Sequence, residues 1–235
     1  VHEFQFKTPI EWDVIEEQLL ARGFSVLEGL CSSLECDELI ACYNHEETFR
    51  KTVVMARHNF GSGEYKYFAS PLPSVVQNLR LGLYSPLAKI ANDWAQKLAK
   101  AERWPASYSK FSERCKAAGQ VKPTPLMLRY GPGDYNRLHQ DIYGEVYFPF
   151  QVIVLLSEPQ QDFVGGDLVL VENCPRQQSR PHVPTLRKGA AVIIPTRERP
   201  IPGARGWRQA QIRHGVSEIV SGQRITLGII FHDGG

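Results

Sequence analysis

The chain has 235 residues, 43% of them hydrophobic and 22% charged, with a formal net charge of +2. That is enough chain for one large globular domain, and too ordinary a composition for a disordered or collagen-like protein. No apolar run approaches the ~20 residues that a membrane-spanning helix needs, so no helical membrane anchor is expected.

The opening VHEFQFKTPIEWD has no basic run followed by an apolar core and reads as no signal peptide. It lacks an initiating Met, so the numbering is expected to begin inside a trimmed or processed chain. Cys31, Cys36, Cys42, Cys115 and Cys174 are odd in number and show no CxxC pair. They read as reduced thiols of a cytoplasmic protein, neither a disulfide framework nor a zinc site.

In chain order, residues 11–22 place Val14, Ile15, Leu19 and Leu20 on one helical face, and Gly23 ends the helix. Residues 24–27 form a short strand. Ser32 or Ser33 caps a second helix, with Glu35 in its first turn and Leu34, Leu39, Ile40 and Tyr43 as its apolar positions. Residues 52–55 and 65–68 are the strands of a hairpin around a Gly61-Ser62-Gly63 turn, and Pro71 and Pro73 break it. Two helices follow over 75–83 and 86–100, the second opening on Pro86 in its first turn. A third, amphipathic and largely exposed, covers 106–118. Residues 1–122 are thus a mainly helical part with one hairpin.

After Pro125 the pattern turns to strands: 127–130, 138–143, 150–156, 167–172, 190–194, 209–213 and 224–231. Two of these, FQVIVLL and AAVII, are almost continuously apolar, as strands covered on both faces are. Short strands between Gly- and Pro-rich turns indicate a sandwich or barrel. The fold class is α+β: one domain over 1–235, with the N-terminal helices packed outside a β core at 123–235.

Four residues of the strand half point to chemistry. His139 and Asp141 are two apart, so on a strand both side chains reach one point. His214 follows far downstream, and Arg224 ten residues after it. Two histidines and one carboxylate suit Fe(II) and leave about half of an octahedral metal open, and a guanidinium grips a carboxylate with two parallel hydrogen bonds. His232 and Asp233 are adjacent and face opposite sides of a strand, a poor metal clamp. His182, between Pro181 and Pro184, is expected in an exposed loop, and His58 on the surface of the hairpin loop. Between residues 176 and 224 lie ten basic residues against two acidic ones, Glu198 and Glu218, a surplus of eight positive charges.

With these residues in order and spacing, the chain resembles the Fe(II)/2-oxoglutarate-dependent dioxygenases, most of all their prolyl-hydroxylase-like branch. RYGPGDYNRLHQD is similar to that family's Tyr-containing approach to HxD, and Gly165-Gly166-Asp167-Leu168 to its Gly-Gly strand opening. GFSVLEGLCSSLECDEL looks like the N-terminal strand and helix of many such enzymes. The resemblance covers most of the chain and is strongest between 128 and 231. It implies a double-stranded β-helix, or jelly roll. It further implies Fe(II) on His139, Asp141 and His214, 2-oxoglutarate on Arg224 with help from Tyr130, and O2 as co-substrate. The expected reaction hydroxylates a substrate and releases succinate and CO2.

Leu155 stands where animal prolyl hydroxylases often carry a Tyr, and the Arg- and Pro-rich stretch 174–211 has no counterpart in the family. Substrate specificity therefore does not transfer. Some relatives dealkylate nucleobases by hydroxylating them. Arg205 and Arg208 in the basic span, with Arg57, His58, Tyr65 and Tyr67 of the hairpin, could form a cationic rim with stacking platforms. That favours alkylated nucleic acid over a peptidyl, prolyl-type substrate. Arg213 is the next candidate for the co-substrate carboxylate. The non-enzymatic alternative is a cupin-like sensor with a structural metal, which would release no succinate.

Overall fold

The computed structural model describes Phe6 and residues 9–235. Most of the opening segment read above as no signal peptide lies outside the described residues. In chain order the elements of the first half are α1 (Trp12–Arg22), β1 (Ser25–Leu27), α2 (Ser33–Cys42), β2 (Phe49–Val54), β3 (Gly61–Ser62), β4 (Glu64–Phe68), α3 (Ser74–Lys97) and α4 (Tyr108–Ala117). The second half supplies β5 (Leu126–Tyr130), β6 (Tyr135–His139), β7 (Phe150–Leu155), β8 (Phe163–Gly165), β9 (Leu168–Asn173) and β10 (Arg180–His182). It ends with β11 (Ala191–Pro195), β12 (Glu198–Gly203), β13 (Gly206–Val216), β14 (Ile219–Gly222) and β15 (Arg224–Ile230). No helix among the described residues is long and apolar enough to cross a membrane.

The local signals work as chemistry predicts at the first helices. Gly23 sits at φ 81° and returns its N–H to Leu19 O, closing α1. Ser32 and Glu35 form a capping box at the start of α2.

Seven strands in the order β1-β11-β7-β15-β5-β4-β2 make the larger sheet. The smaller sheet runs β10-β9-β13-β6-β3, with β12 hairpinned onto β13. Strand alternation divides the larger sheet between two cores. Val152, Val154, Ala191, Ile193, Ile225, Leu227 and Ile229 face the helices and meet Leu79, Leu83, Leu87 and Trp94 of α3. Ile153, Leu155, Val192 and Ile194 face the other way, onto Leu168 and Leu170 of the smaller sheet. Two antiparallel sheets packed in this way, with helices on the outer face, are the jelly roll in an α+β chain. β1, β2 and β4 belong to the larger sheet, so residues 1–122 and 123–235 share it.

Three local expectations are corrected. α3 is one helix with Pro86 inside it, because the apolar stripe Val76, Leu79, Leu83, Leu87 and Ile90 continues across the proline and its burial outweighs one lost hydrogen bond. Gly61-Ser62 is a short strand paired with β6, and the chain reverses earlier, through a 3-10 turn at Met55–His58 that ends on Asn59 at φ 58°. His182 lies half-buried on β10, its ring edge against Phe24 at 5.7 Å, so it is no exposed loop residue.

The residues after β15 are locked to the helical layer. Arg80 of α3 donates to Asp233 Oδ1 (2.7 Å) and to Phe231 O (2.8 Å). His232 is fully buried; its Nδ1 accepts from the Phe148 N–H at 3.2 Å. Burial first, and the charge of Arg80 second, push its pKa down to about 4. The unfolded chain binds that proton more readily. Its contribution is therefore intact above about pH 6.5 and is lost as the pH falls through 4, about 3 kcal/mol in all. His232→Gln, which can still accept from Phe148, is expected to narrow the gap between the Tm at pH 7 and at pH 4.5. An unchanged gap would place the acid sensitivity elsewhere.

Candidate metal centre

His139 is the last residue of β6, and the strand ends there. Asp141 therefore lies beyond the strand expected over 138–143, and pairing on a common strand face does not bring the two together. The turn after His139 does. Gln140 Nε2 donates into the β12–β13 hairpin, to Arg197 O (2.9 Å) and Ile212 O (2.8 Å). The loop beyond is held by buried Gln120, whose Nε2 donates to Tyr143 O, Val146 O and Asp233 O, while its Oε1 accepts from Val146 N–H.

His214 arrives from β13, where it is the direct cross-strand partner of His139. The two rings lie 4.2 Å apart. Asp141 closes the group, with Oδ1 3.5 Å from His139 Nε2 and Oδ2 3.2 Å from His214 Nε2. One ligand atom from each residue lies within 4.8 Å of the others. His139 Nδ1 faces the Arg137 carbonyl oxygen at 2.7 Å and can only donate there, which leaves the Nε2 lone pair for a metal. Tyr143 donates to Asp141 Oδ1 at 2.7 Å and orients the carboxylate.

These groups are enclosed, which sets them apart from a surface His–Asp pair: the side chains of His139, Asp141 and His214 are 34%, 13% and 8% exposed. Burial raises the Asp141 carboxyl, but hydrogen bonds and charge from His139 and His214 outweigh it and hold the group well below the usual range. Burial and the neighbouring His139 lower His214, whereas at His139 the desolvation is outweighed by Asp141, so its pKa rises. An ionised carboxylate beside two imidazoles is the donor set that Fe(II) takes.

The three residues line a cavity of about 360 Å³ between the sheets. Arg224, Thr226 and Gly228 point into it from β15, since their neighbours Ile225 and Leu227 point to the helices. Arg224 is 2% exposed, its Nε has no partner, and no carboxylate among the described residues pairs with it. Burial pushes its pKa down. Gly166, at φ +65°, leaves room for this side chain, because a Cβ there would meet Arg224 Cδ at 3.0 Å and Ile219 Cδ1 at 2.1 Å. A buried guanidinium without an anion is costly, and the cavity beside it fits a carboxylate ligand such as 2-oxoglutarate. Tyr130, fully buried on β5, is the register partner of Arg224, with its ring 5.8 Å from the guanidinium carbon.

The candidates for substrate contact scatter. Tyr65 lines the cavity. Tyr67 is buried behind it, edge-on to Tyr65 and Tyr143. Arg57 and His58 are exposed on the turn after β2. Arg205 and Arg208 sit at the tip of the β12–β13 hairpin. Trp207 beside them lies seven residues along β13 from His214, roughly 23 Å at the rise of an extended strand. Its ring is covered by Lys97 at 5.3 Å. Arg205 and Arg208 therefore form no rim of this cavity; of the basic span, Arg224 alone among the described residues lines it. Arg213 is exposed on the face of β13 opposite His214, which removes it as a co-substrate ligand.

Tyr143, which orients Asp141, is not among the residues the sequence points to, and neither are three others that line the cavity. Gln151 is 3% exposed and its Nε2 has no partner. Arg137 and Phe60 stand at the mouth. The Arg137 signal was in the sequence, two residues before His139; Phe60 had none.

Residues 63–234 match the Oxygenase-NA family, described as "Oxygenase, catalysing oxidative methylation of damaged DNA". The uncharacterized protein Rv2227 of Mycobacterium tuberculosis is 46% identical over 166 residues, covering 71% of each chain. A 2OG-Fe(II) oxygenase family oxidoreductase from Burkholderia pseudomallei superposes with a TM-score of 0.55 at 15% identity, over 100% of this chain and 98% of that one. A Pseudomonas putida prolyl-4-hydroxylase gives 0.54 at 14% identity, over 95% and 100%. At these identities the two structures speak for the jelly-roll fold.

Proposed function

Because this chain belongs to the Oxygenase-NA family, we propose that it is an Fe(II)- and 2-oxoglutarate-dependent dioxygenase whose substrate is alkylated nucleic acid. The observation that carries this reading is the pairing of two features in one cavity: a His139/Asp141/His214 donor set and, beside it, a buried guanidinium with no anion. A structural metal in a sensor would need no second, carboxylate-shaped site.

His139, Asp141 and His214 hold the metal, and Arg224, backed by Tyr130, takes the distal carboxylate of 2-oxoglutarate. Bound together, iron and keto acid supply the oxidising power: one oxygen atom of O2 goes to succinate as CO2 leaves, and the other to a substrate C–H bond. The chain's own residues position and exclude. Tyr143 and the Arg137 carbonyl fix the ligands. Leu126, Leu128 and Ile153 keep the cavity apolar around the reacting atoms. Gln151 offers an unpaired amide donor to the substrate. On an N-methyl base, hydroxylation of the methyl group gives an N-hydroxymethyl group, which falls apart to formaldehyde and the bare base.

The test measures succinate and formaldehyde release with Fe(II), 2-oxoglutarate and a single-stranded oligonucleotide carrying one N-methylated base. Formaldehyde in step with succinate is the expected result. Succinate release stimulated by a prolyl peptide and not by the oligonucleotide would move the substrate to the peptidyl class. No succinate under any condition would leave the sensor.

A further inference from the structure

The mouth of the cavity carries an aromatic ring that neither metal nor co-substrate uses. Phe60 is 48% exposed and lines the opening beside Asn59, Arg137 and Leu138. His58 stacks on it, the ring centroids 5.4 Å apart and the planes 23° from parallel. A lone exposed phenylalanine is ordinary on a protein surface. This one is fixed by backbone to the strand that ends in a metal ligand.

The fixing is explicit. Phe60 O accepts from the Arg137 N–H (2.9 Å), and Phe60 N–H donates to Met55 O (3.2 Å). Gly61 and Ser62 pair with Asn136 and Tyr135. The approach at Gly61 is so close that a Cβ would lie 2.2 Å from Tyr135 O. Ser62 Oγ donates to Asp134, which also accepts from Gly131 N–H. The backbone that carries the ring is thus pre-organised and His58 stacks on the ring, so less ordering entropy is lost when a ligand lies on it.

The surroundings indicate the ligand. Arg137 shares the mouth, and Arg57 projects from the same turn as His58. Among the described residues the only carboxylate lining the cavity is Asp141, whose oxygens are engaged by the two histidines and Tyr143. A flat aromatic pair flanked by two arginines that no carboxylate among the described residues pairs with suits a π-face on an anionic backbone, whereas the backbone of a prolyl peptide carries no charge.

We propose that Phe60, backed by His58, is the platform on which an unpaired nucleobase of the substrate strand stacks as the alkylated position enters the cavity. The inference rests on the nucleic-acid reading above and deepens it. Stacking of this kind is tolerant of base identity and needs a base outside the duplex stack, so single strands are the expected form.

The experiment compares two single strands that both carry the N-methylated base and differ at the position beside it: one has an ordinary base there, and the other an abasic site. Wild type is expected to bind the first about ten-fold more tightly, the scale of one base stacked on an aromatic ring. Phe60→Ala should erase that preference, and Phe60→Trp should keep it. If Phe60→Ala retains the preference while wild type demethylates the oligonucleotide, the platform is wrong and the nucleic-acid reading stands. If wild type demethylates no oligonucleotide and oxidises a prolyl peptide, both fall together.

Discussion

Replacing His214 with alanine is expected to abolish 2-oxoglutarate turnover while the protein stays folded. His214 contributes one of three ligand atoms, and none of the hydrophobic core clusters includes it. Disturbing the groups that merely orient a metal ligand costs about 10- to 100-fold in affinity or activity, so losing a ligand should cost at least ~100-fold in Fe(II) affinity. Asp141→Ala should do the same and also leave His139 without its hydrogen-bonded carboxylate. Equilibrium binding of Fe(II) without O2, succinate release and a melting curve separate the effects. Near-normal succinate release from His214→Ala would remove it from the metal, whatever the melting curve did.

Arg224→Ala should raise the apparent KM for 2-oxoglutarate by roughly 30-fold or more, because removing one partner of a buried charge-assisted pair costs on the order of 2–5 kcal/mol. The structure adds a second expectation with the opposite sign. Without co-substrate the guanidinium is buried, its Nε has no partner and no carboxylate among the described residues pairs with it, so the alanine variant should melt no lower than wild type, and higher if the cavity takes up water. Adding 2-oxoglutarate should then raise the Tm of wild type and not of the variant. Arg224→Lys keeps the charge but loses the planar two-bond grip, and falls between. An unchanged KM in Arg224→Ala would move the carboxylate site, and with Arg213 on the outer face of β13 no other arginine lining the cavity remains except Arg137 at its mouth.

Taken alone, the sequence determined whatever depends on residues close along the chain or on strand periodicity. Gly23 and the Ser32/Glu35 box set helix boundaries because caps are local hydrogen bonds. The almost continuously apolar runs at β7 and β11 announced strands covered on both faces, and both are. His139, Asp141, His214 and Arg224 were legible because ligand chemistry restricts residue type, and their spacing matched a family pattern.

Only the tertiary structure decided what depends on which distant segments meet. Pro86 read as a helix start because its cost is local, while the stripe that carries α3 past it is stabilised by sheet residues from Val152 to Ile229, far along the chain. The basic span read as a rim because charge was counted along the chain, but β13 runs away from the cavity and places Arg205 and Arg208 at its far end. Phe60 was invisible for the converse reason. Nothing near it in sequence marks it, and its place at the mouth comes from the pairing of Gly61 with Asn136, seventy-five residues on, where the missing side chain lets two backbones touch.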